Sequence, residues 1–338
     1  MKLQEIAKAA NVSLTTVSLV LNGKKGVGDD KRTLIEEMLT ANGYAIQQPK
    51  SDARLSRTIK FIKYVRHNFG IDGNPGFITQ IIDAVERECR KNGFNLLMTS
   101  VENIIDMEAT VKAQPLDGVI ILGTELDNND TGVLAKFDLP LVMVDNHLPL
   151  LPFNCVTMNN REAIFAAVNH LAGLGHKNIG FLENSVPVNN DRERRDAFEQ
   201  ALLYYGLKFK PSLIYALHPT MDGAYASMLK LLEKHTIFPS ALCANNDSIA
   251  IGAMKAMKGN GISIPRDISI VGFDGIPFSA VSEPPLTTMA VPCEDIAMQA
   301  VRLLLNRIEN PGAAVCKIRV NPILRKQAST AVCRHSES

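Results

Sequence analysis

The sequence predicts an α/β protein that carries a small all-α head, and three observations lead there. Apolar residues recur with a helical period from residue 3 to residue 43. From residue 58 onward, strand-length apolar runs alternate with amphipathic helices, and the alternation occurs twice over, the pattern of two parallel-sheet α/β units. Charge is polarised along the chain. Residues 1–60 hold ten basic and six acidic side chains, a sum of +4, whereas the remainder holds 26 against 29, a sum of −3.

The elements follow in order. Leu3, Ile6, Ala7 and Ala10 fall at i, i+3, i+4 and i+7, one face of a first helix that Asn11 can end. Ser13 is an N-cap for a second helix, LTTVSLVLN, with Val17, Val20 and Leu21 on its apolar face and a stop at Asn22-Gly23. Asp29-Asp30 are expected to cap a third, KRTLIEEMLTAN, with Leu34, Ile35, Met38 and Leu39 inward and Gly43 as its C-cap. Three short helices with a tight turn between the first two are the pattern of a helix-turn-helix unit. Residues 46–58 form a polar, basic linker containing Pro49. A strand is expected at 58–65 and an amphipathic helix at 77–92, its inner face Ile78, Ile81, Ile82 and Val85. Buried-type strands follow at 95–101, 117–123 and 139–145, separated by helical stretches. Helices at 161–173, 191–205, 222–234 and 247–258 then alternate with strands at 178–184, 213–218, 241–246 and 269–274. A helix at 293–309 and a strand near 316–322 close the chain. The domains read as 1–45 for the head, 46–58 for the hinge and 59–338 for the two-lobed body.

Composition narrows the function. The length of 338 residues exceeds one core. The net charge of +1 is the sum of a basic head and a mildly acidic body, so it does not exclude nucleic acid as a partner. No apolar run reaches the roughly 18–20 residues of a membrane span, and no secretory h-region follows Met1-Lys2. The six cysteines lack a CxxC or a histidine at ligand spacing, so they read as free thiols of a cytoplasmic protein, with no metal and no cofactor expected. No GxGxxG follows the first strand; Gly70, Gly73 and Gly76 lack that spacing and the downstream acid. No local pattern suggests a catalytic triad, and His170 and His176 flank a helix end as structural residues, so an enzyme is not expected. A sugar-binding transport component would need export and would not need a basic three-helix head.

The string LQEIAKAANVSLTTVSLVLNGKKGV, followed by a third helix ending NGY, resembles the LacI/GalR family of bacterial transcription regulators. NHLAGLGHKNIGFL (169–182), RERRDAF (192–198), ANNDSIAIGAMKAM (244–257), DISIVGFDG (267–275) and EPPLTTM (283–289) resemble that family's signatures in the family's order, so the likeness covers nearly the whole chain. It implies a helix-turn-helix head, a hinge and a periplasmic-binding-protein-like body of two α/β lobes. It further implies a homodimer on palindromic operator DNA, a repressor whose operator affinity a small effector modulates. Sugars are the commonest effectors in the family, and nucleobases and phosphorylated sugars also occur.

In such a head the second helix enters the major groove. Winding residues 14–21 at about 100° per residue places Thr15, Ser18 and Leu19 opposite the buried stripe, with Leu14 and Thr16 at the edges. The resemblance assigns Leu14 and Thr15 to positions that vary with operator sequence. It assigns Ser13, Thr16 and Asn22 to phosphate or backbone positioning, against plain capping and turn duty. Leu19 stands where the family usually has Arg, so a bidentate grip on guanine is lost there. Two readings remain: contact with a thymine methyl, or packing on the head's own surface. The hinge departs too. Where the family carries an Ala-rich stretch that wedges a leucine into the minor groove, this chain has SDARLSR. Leu55 is its wedge candidate, although Ala53 takes that place if the count runs gap-free from Tyr44. The other reading is an irregular linker whose Arg54, Arg57 and Lys60 meet phosphate. The alternative to an operator-binding repressor, a ligand-binding body with impaired operator reading, rests on these two departures.

In open parallel sheets, ligands sit outside the carboxyl ends of strands. Carboxylates and amides paired with an Arg suit a polyhydroxylated ligand, because each hydroxyl both donates and accepts. Arg194 in RERRDAF and Asp274 in VGFDG match the family's effector-holding residues; the plainer reading is a cap or an ion pair. Phe77 in NPGF matches an aromatic pocket floor or ordinary helix core, and Asp145, His218 and Asn246 complete the expected effector set. Asn159-Asn160 replaces a frequent Asp-Asn at the lobe crossover, and Val291 and Cys293 make one side of the pocket less polar than in some sugar-responsive members. The tail QASTAVCRHSES has no leucine heptads, so a coiled-coil tetramer is not supported.

Overall fold

The computed structural model describes residues 1–22, 26–44, 57–67, 75–147 and 151–334, with the backbone alone for Asp29, Pro75 and Thr131. It divides into two units, 1–57 and 58–338. The head has helices α1 (Leu3–Ala9), α2 (Leu14–Leu21) and α3 (Asp29–Ala41). Their apolar faces meet in a core of Ile6, Ala7, Ala10, Val17, Val20, Ile35 and Leu39. Asn11 takes a positive φ of 50° between α1 and α2, and the Val12 amide donates back to the Ala7 carbonyl at 3.0 Å, which tightens the turn. Ser13 caps α2 as expected, its Oγ accepting from the Thr16 amide at 3.1 Å. Two expectations for α3 are corrected. Gly28, not the acidic pair, is the N-cap, and Asp29 and Asp30 lie within the first turn of the helix itself. Leu34 is 46% exposed rather than inward, because the apolar stripe of α3 is wider than two short partner helices can cover.

The body contains, in chain order, β1 (Thr58–Tyr64), α4 (Pro75–Lys91), β2 (Asn95–Val101), α5 (Ile104–Lys112), β3 (Gly118–Leu122), α6 (Thr131–Leu134), β4 (Leu141–Val144) and β5 (Asn154–Met158). Next come α7 (Asn160–Gly173), β6 (Ile179–Asn184), α8 (Asn189–Tyr204), β7 (Ile214–Leu217), α9 (Met221–Glu233), β8 (Ala241–Ala244), α10 (Asp247–Gly259) and β9 (Ser269–Asp274). The last elements are α11 (Pro277–Val281), β10 (Thr287–Ala290), α12 (Cys293–Glu309), β11 (Lys317–Val320) and β12 (Ile323–Arg325). Lobe 1 is a parallel sheet in the order β11-β5-β4-β3-β1-β2. Lobe 2 is ordered β12-β10-β9-β8-β6-β7, parallel except for β12, which runs antiparallel to β10.

The central strands β3, β4, β8 and β9 are buried on both faces, which explains their near-continuous apolar runs. Phe61, Phe181, Phe198 and Phe273 are fully buried, and each such side chain contributes roughly 1.5–3 kcal/mol on leaving water. β2 is a correction. It is the outer strand of lobe 1, pairs only with β1, and leaves Leu97 and Met98 exposed, so it is not of the buried type. Strands β5, β10 and β12 were not anticipated as separate elements.

The lobes are not simple consecutive halves. The chain passes from lobe 1 to lobe 2 at Asn159, returns at Val291-Pro292 so that α12 packs on lobe 1, and crosses again between β11 and β12. His176, buried as expected of a structural residue, bridges the Ser240 hydroxyl at 3.0 Å and the Ala331 carbonyl at 3.1 Å, and so ties the tail to lobe 2. No helix among the described residues is long and apolar enough to cross a membrane.

Candidate functional site

Two sets of side chains follow from this architecture. On the head, α2 buries Val17 and Val20 and turns Leu14, Thr15 and Ser18 outward, with Leu14 44% exposed and Thr16 and Leu19 half-buried. The exposed Ser13 hydroxyl lies 2.8 Å from the Thr16 hydroxyl, and Asn22 donates from Nδ2 to the Ser18 carbonyl at 2.8 Å. Capping and turn duty are therefore present at Ser13, Thr16 and Asn22, on the same surface as Thr15 and Ser18. Leu19 leans toward Gly26, whose added Cβ would lie 4.0 Å from the Leu19 Cδ1. Arg54 and Leu55 lie outside the described residues, as does the rest of the linker from 45 to 56.

In the body, three of the expected effector residues converge where the carboxyl ends of both sheets meet. Asp145 follows β4 with a positive φ of 64° and is buried. Its Oδ2 accepts from the Thr124 hydroxyl at 2.5 Å, and its Oδ1 accepts from Asn190 Nδ2, on lobe 2, at 2.8 Å. Asn190 Oδ1 in turn accepts from Asn160 Nδ2 at 3.0 Å, and Asn160 Oδ1 accepts from Arg194 Nε at 2.9 Å. The Arg194 guanidinium lies 3.7 Å above the Phe273 ring, donates from Nη1 to the Asn245 carbonyl at 2.7 Å, and approaches Asp274 Oδ1 with Nη2 at 3.7 Å. A stacked, hydrogen-bonded arginine is rigid, which suits it to hold a ligand oxygen in one place.

Charge inside this network is shaped by burial. Desolvation pushes the Asp145 carboxyl up to about 6, and the Thr124 hydroxyl, the Arg194 charge and the Asn190 amide offset it only in part. Asp247 is raised well above the usual carboxylate range by burial and then by the charge of Asp274, although Thr288 and the amides of Gly275 and Ile276 donate to it. Burial, then the charges of Asp274 and Asp145, push the Cys293 thiol up to about 12 and leave it unreactive. Cys293 is itself buried in the hydrophobic core of the body.

The other expected effector residues sit differently. Asn246 caps α10, its Oδ1 accepting from the Ile249 amide at 2.8 Å. Phe77 is buried in the core, which is its plainer reading. His218 follows β7, the outer strand of lobe 2, and faces the Thr220 hydroxyl at 3.1 Å. Asn160 and Asn190, which join the expected residues into one chain of hydrogen bonds, were not singled out in the sequence for this role; the only signal was their place at a crossover and just before Arg194. Asn184 and Asp191 extend the network, joined at 2.7 Å. The same two line a cavity of about 430 Å³ with Glu183, Arg192 and Arg195 at the carboxyl ends of β6 and β7, large enough for a small molecule. Among the described residues no group of three or more His, Cys, Asp or Glu could hold a metal ion.

A helix-turn-helix head on a two-lobed α/β body, with a polar network where the lobes meet, defines a ligand-responsive DNA-binding regulator. Known proteins bear this out. Residues 2–46 match the bacterial regulatory proteins of the lacI family, and residues 168–330 match the periplasmic binding protein-like domain. The HTH-type transcriptional repressor PurR of Pasteurella multocida is 29% identical over 336 residues, covering 97% of this chain and 98% of that protein. The ribose operon repressor of Haemophilus influenzae is 27% identical over 92% of both. The lac repressor dimer bound to operator and the anti-inducer ONPF superposes with a TM-score of 0.73 at 22% identity, covering 98% of this chain and 99% of that one, a likeness of fold. The chain thus joins a lacI-family DNA-binding domain to a periplasmic binding protein-like domain.

Proposed function

We propose that this protein is a cytoplasmic, homodimeric repressor, without enzymatic activity, whose operator affinity is set by a small polyhydroxylated effector, a sugar or sugar derivative. The observation that carries the operator reading is the outward face of α2, where Leu14, Thr15 and Ser18 stand clear of the core with the cap residue Ser13 beside them. Ser13, Thr16 and Asn22 position the helix on phosphates, Leu19 supplies an apolar contact in place of a guanine grip, and Arg54 and Leu55 act from the linker. The effector meets Arg194, Asp145 and Asp274 first, with Asn246, His218 and Phe77 around them. The names of the relatives support this reading, one being a ribose operon repressor and one a lac repressor dimer on its operator. Dimerisation is supported by exposed apolar side chains at the β2 edge, Leu97 and Met98, and on α11, Phe278 and Val281. A ligand that prefers one arrangement of the lobes shifts operator affinity only by its differential affinity for the two states.

Selection from randomised duplex DNA tests this directly. We expect enrichment of a pseudo-palindrome, bound by a dimer, with affinity altered by at least one compound in a panel of free sugars, phosphorylated sugars and nucleobases. Absence of any enriched sequence, or a stable monomer at micromolar concentration in sedimentation, overturns the reading. Leu19→Arg should change base preference at one operator position, and an unchanged preference refutes the role given to Leu19.

A further inference from the structure

One further side chain of α8 is bonded to the network and reaches beyond it. Glu193 belongs to lobe 2, and its Oε2 accepts from Asn160 Nδ2 at 2.8 Å. Asn160 is the residue whose other amide atom fixes Arg194 Nε. The second oxygen of Glu193 reaches lobe 1, where Oε1 accepts from Arg319 Nη2, on β11, at 3.1 Å, and lies 3.4 Å from His147 Nδ1, after β4. Arg319 Nη2 also donates to His147 Nε2 at 3.1 Å. A guanidinium can only donate, so His147 Nε2 accepts and the ring proton sits on Nδ1, pointed at Glu193. One carboxylate is thus held by two lobe 1 side chains on one oxygen and by Asn160 on the other. All three clasp residues are partly shielded, with side-chain exposures of 25% for Glu193, 26% for His147 and 39% for Arg319, where charge-assisted bonds keep part of their strength.

We propose that Glu193 is a positioning residue of the effector site: clasped by Arg319 and His147 across the lobe boundary, it orients Asn160 and, through it, Arg194. The inference rests on the reading of Arg194 as an effector ligand. It makes the orientation of that guanidinium depend on lobe closure. Opening the lobes draws Arg319 and His147 away from Glu193, frees its carboxylate to turn, and releases Asn160 from the geometry that fixes Arg194 Nε. Effector recognition and lobe arrangement then share one hydrogen-bonded chain.

The test uses the full-length dimer without DNA and without effector, so it is decided even if no operator is found. Glu193→Gln, Arg319→Gln and the conservative Arg319→Lys are compared with the parent. Two quantities are read: solvent exchange of the Arg194 Nε proton by ¹H–¹⁵N NMR, and the closed fraction of the body by small-angle X-ray scattering. Glu193→Gln and Arg319→Gln should each speed that exchange by about five- to tenfold and lower the closed fraction, with the far-ultraviolet circular dichroism unchanged, and Arg319→Lys, which keeps a cation that can donate to Glu193 Oε1, should stay close to the parent in both. Parental exchange in Glu193→Gln or in Arg319→Gln overturns the proposal, and so does an Arg319→Lys variant that behaves as Arg319→Gln does. Should Glu193→Gln fail to fold, Arg319→Gln decides the matter from the opposite lobe. A failed operator selection, by contrast, would strike the DNA reading and leave the clasp intact.

Discussion

The head and the body solve opposite problems with their polar residues. On the head, the side chains assigned to recognition come from one stretch, residues 13–22, and those pointing outward are bonded only within their own helix and its cap. In the body they come from distant segments around Thr124, Asp145, Asn160, Asn190, Arg194, Asn245 and Asp274, and they are buried and bonded to one another. The difference follows from the partners. A duplex is a large polyanion that comes to a surface, so its readers can stay solvated until contact. A small effector must replace bonds the protein already makes, so its site is part of the folded core. Recognition and stability are separable at the outward residues Leu14, Thr15 and Ser18 of the head, meet only at its cap residue Ser13 and the turn residues Thr16 and Asn22, and are inseparable in the body.

The largest break in this comparison should come at Arg194. Replacing it with Met takes the guanidinium away from the buried Asp274 carboxylate and from the Asn160 and Asn245 carbonyl oxygens, at a cost of about 3–5 kcal/mol. Calorimetry should show the body's transition lowered and the head's unmoved; an unchanged body transition would mean the guanidinium is not structural.

Leu39→Ala is the mirror experiment. The head's core consists of seven small or medium side chains, and opening a cavity there costs roughly 2–5 kcal/mol, comparable to the whole stability of so small a domain. DNA binding should vanish while the body's transition stays in place.

Asp145 gives a smaller effect with a definite sign. Its folded value near 6 stands above the ordinary 3.8, so the folded chain retains a proton that the unfolded chain releases. That contribution is fully present below about pH 4 and is lost as the pH rises through about 6. Urea titrations of Asp145→Asn should therefore show its stability gaining on the parent between pH 4 and 7, by as much as about 3 kcal/mol for a two-unit difference. Parallel pH profiles would contradict the raised value.

Ser13→Ala should cost the head about 1 kcal/mol through the lost cap and leave the body untouched. Loss of DNA affinity beyond that stability change, seen in a titration at a temperature where the head stays folded, would show that Ser13 also meets phosphate.

Much of this was legible in the amino-acid order. The periodicity of Ile6, Val17, Val20, Ile35 and Leu39 reports the head's core because helices repeat their faces every few residues whatever surrounds them. The helix at 293–309 and the strands at 58–64 and 269–274 likewise appear where their local patterns put them. Leu34 and β2 misled for one reason. Apolar character records that a residue can be buried, and only the neighbours decide whether it is. Among the described residues, α3 has too few partner helices to cover Leu34, and β2 has no strand beyond it.

The order of residues by itself determined most of the helices and central strands, the polarity of charge, the two-lobed α/β class and the outward face of α2, since each is written in patterns a few residues long. Tertiary structure alone decided that β11 and β12 part to opposite lobes, that Asn160 and Asn190 link Asp145 to Arg194, and that Glu193 reaches across to Arg319. Those pairings join residues from 30 to 126 positions apart. A hydrogen bond requires its two atoms within about 3 Å at a narrow angle, and across such separations only the assembled topology sets that distance.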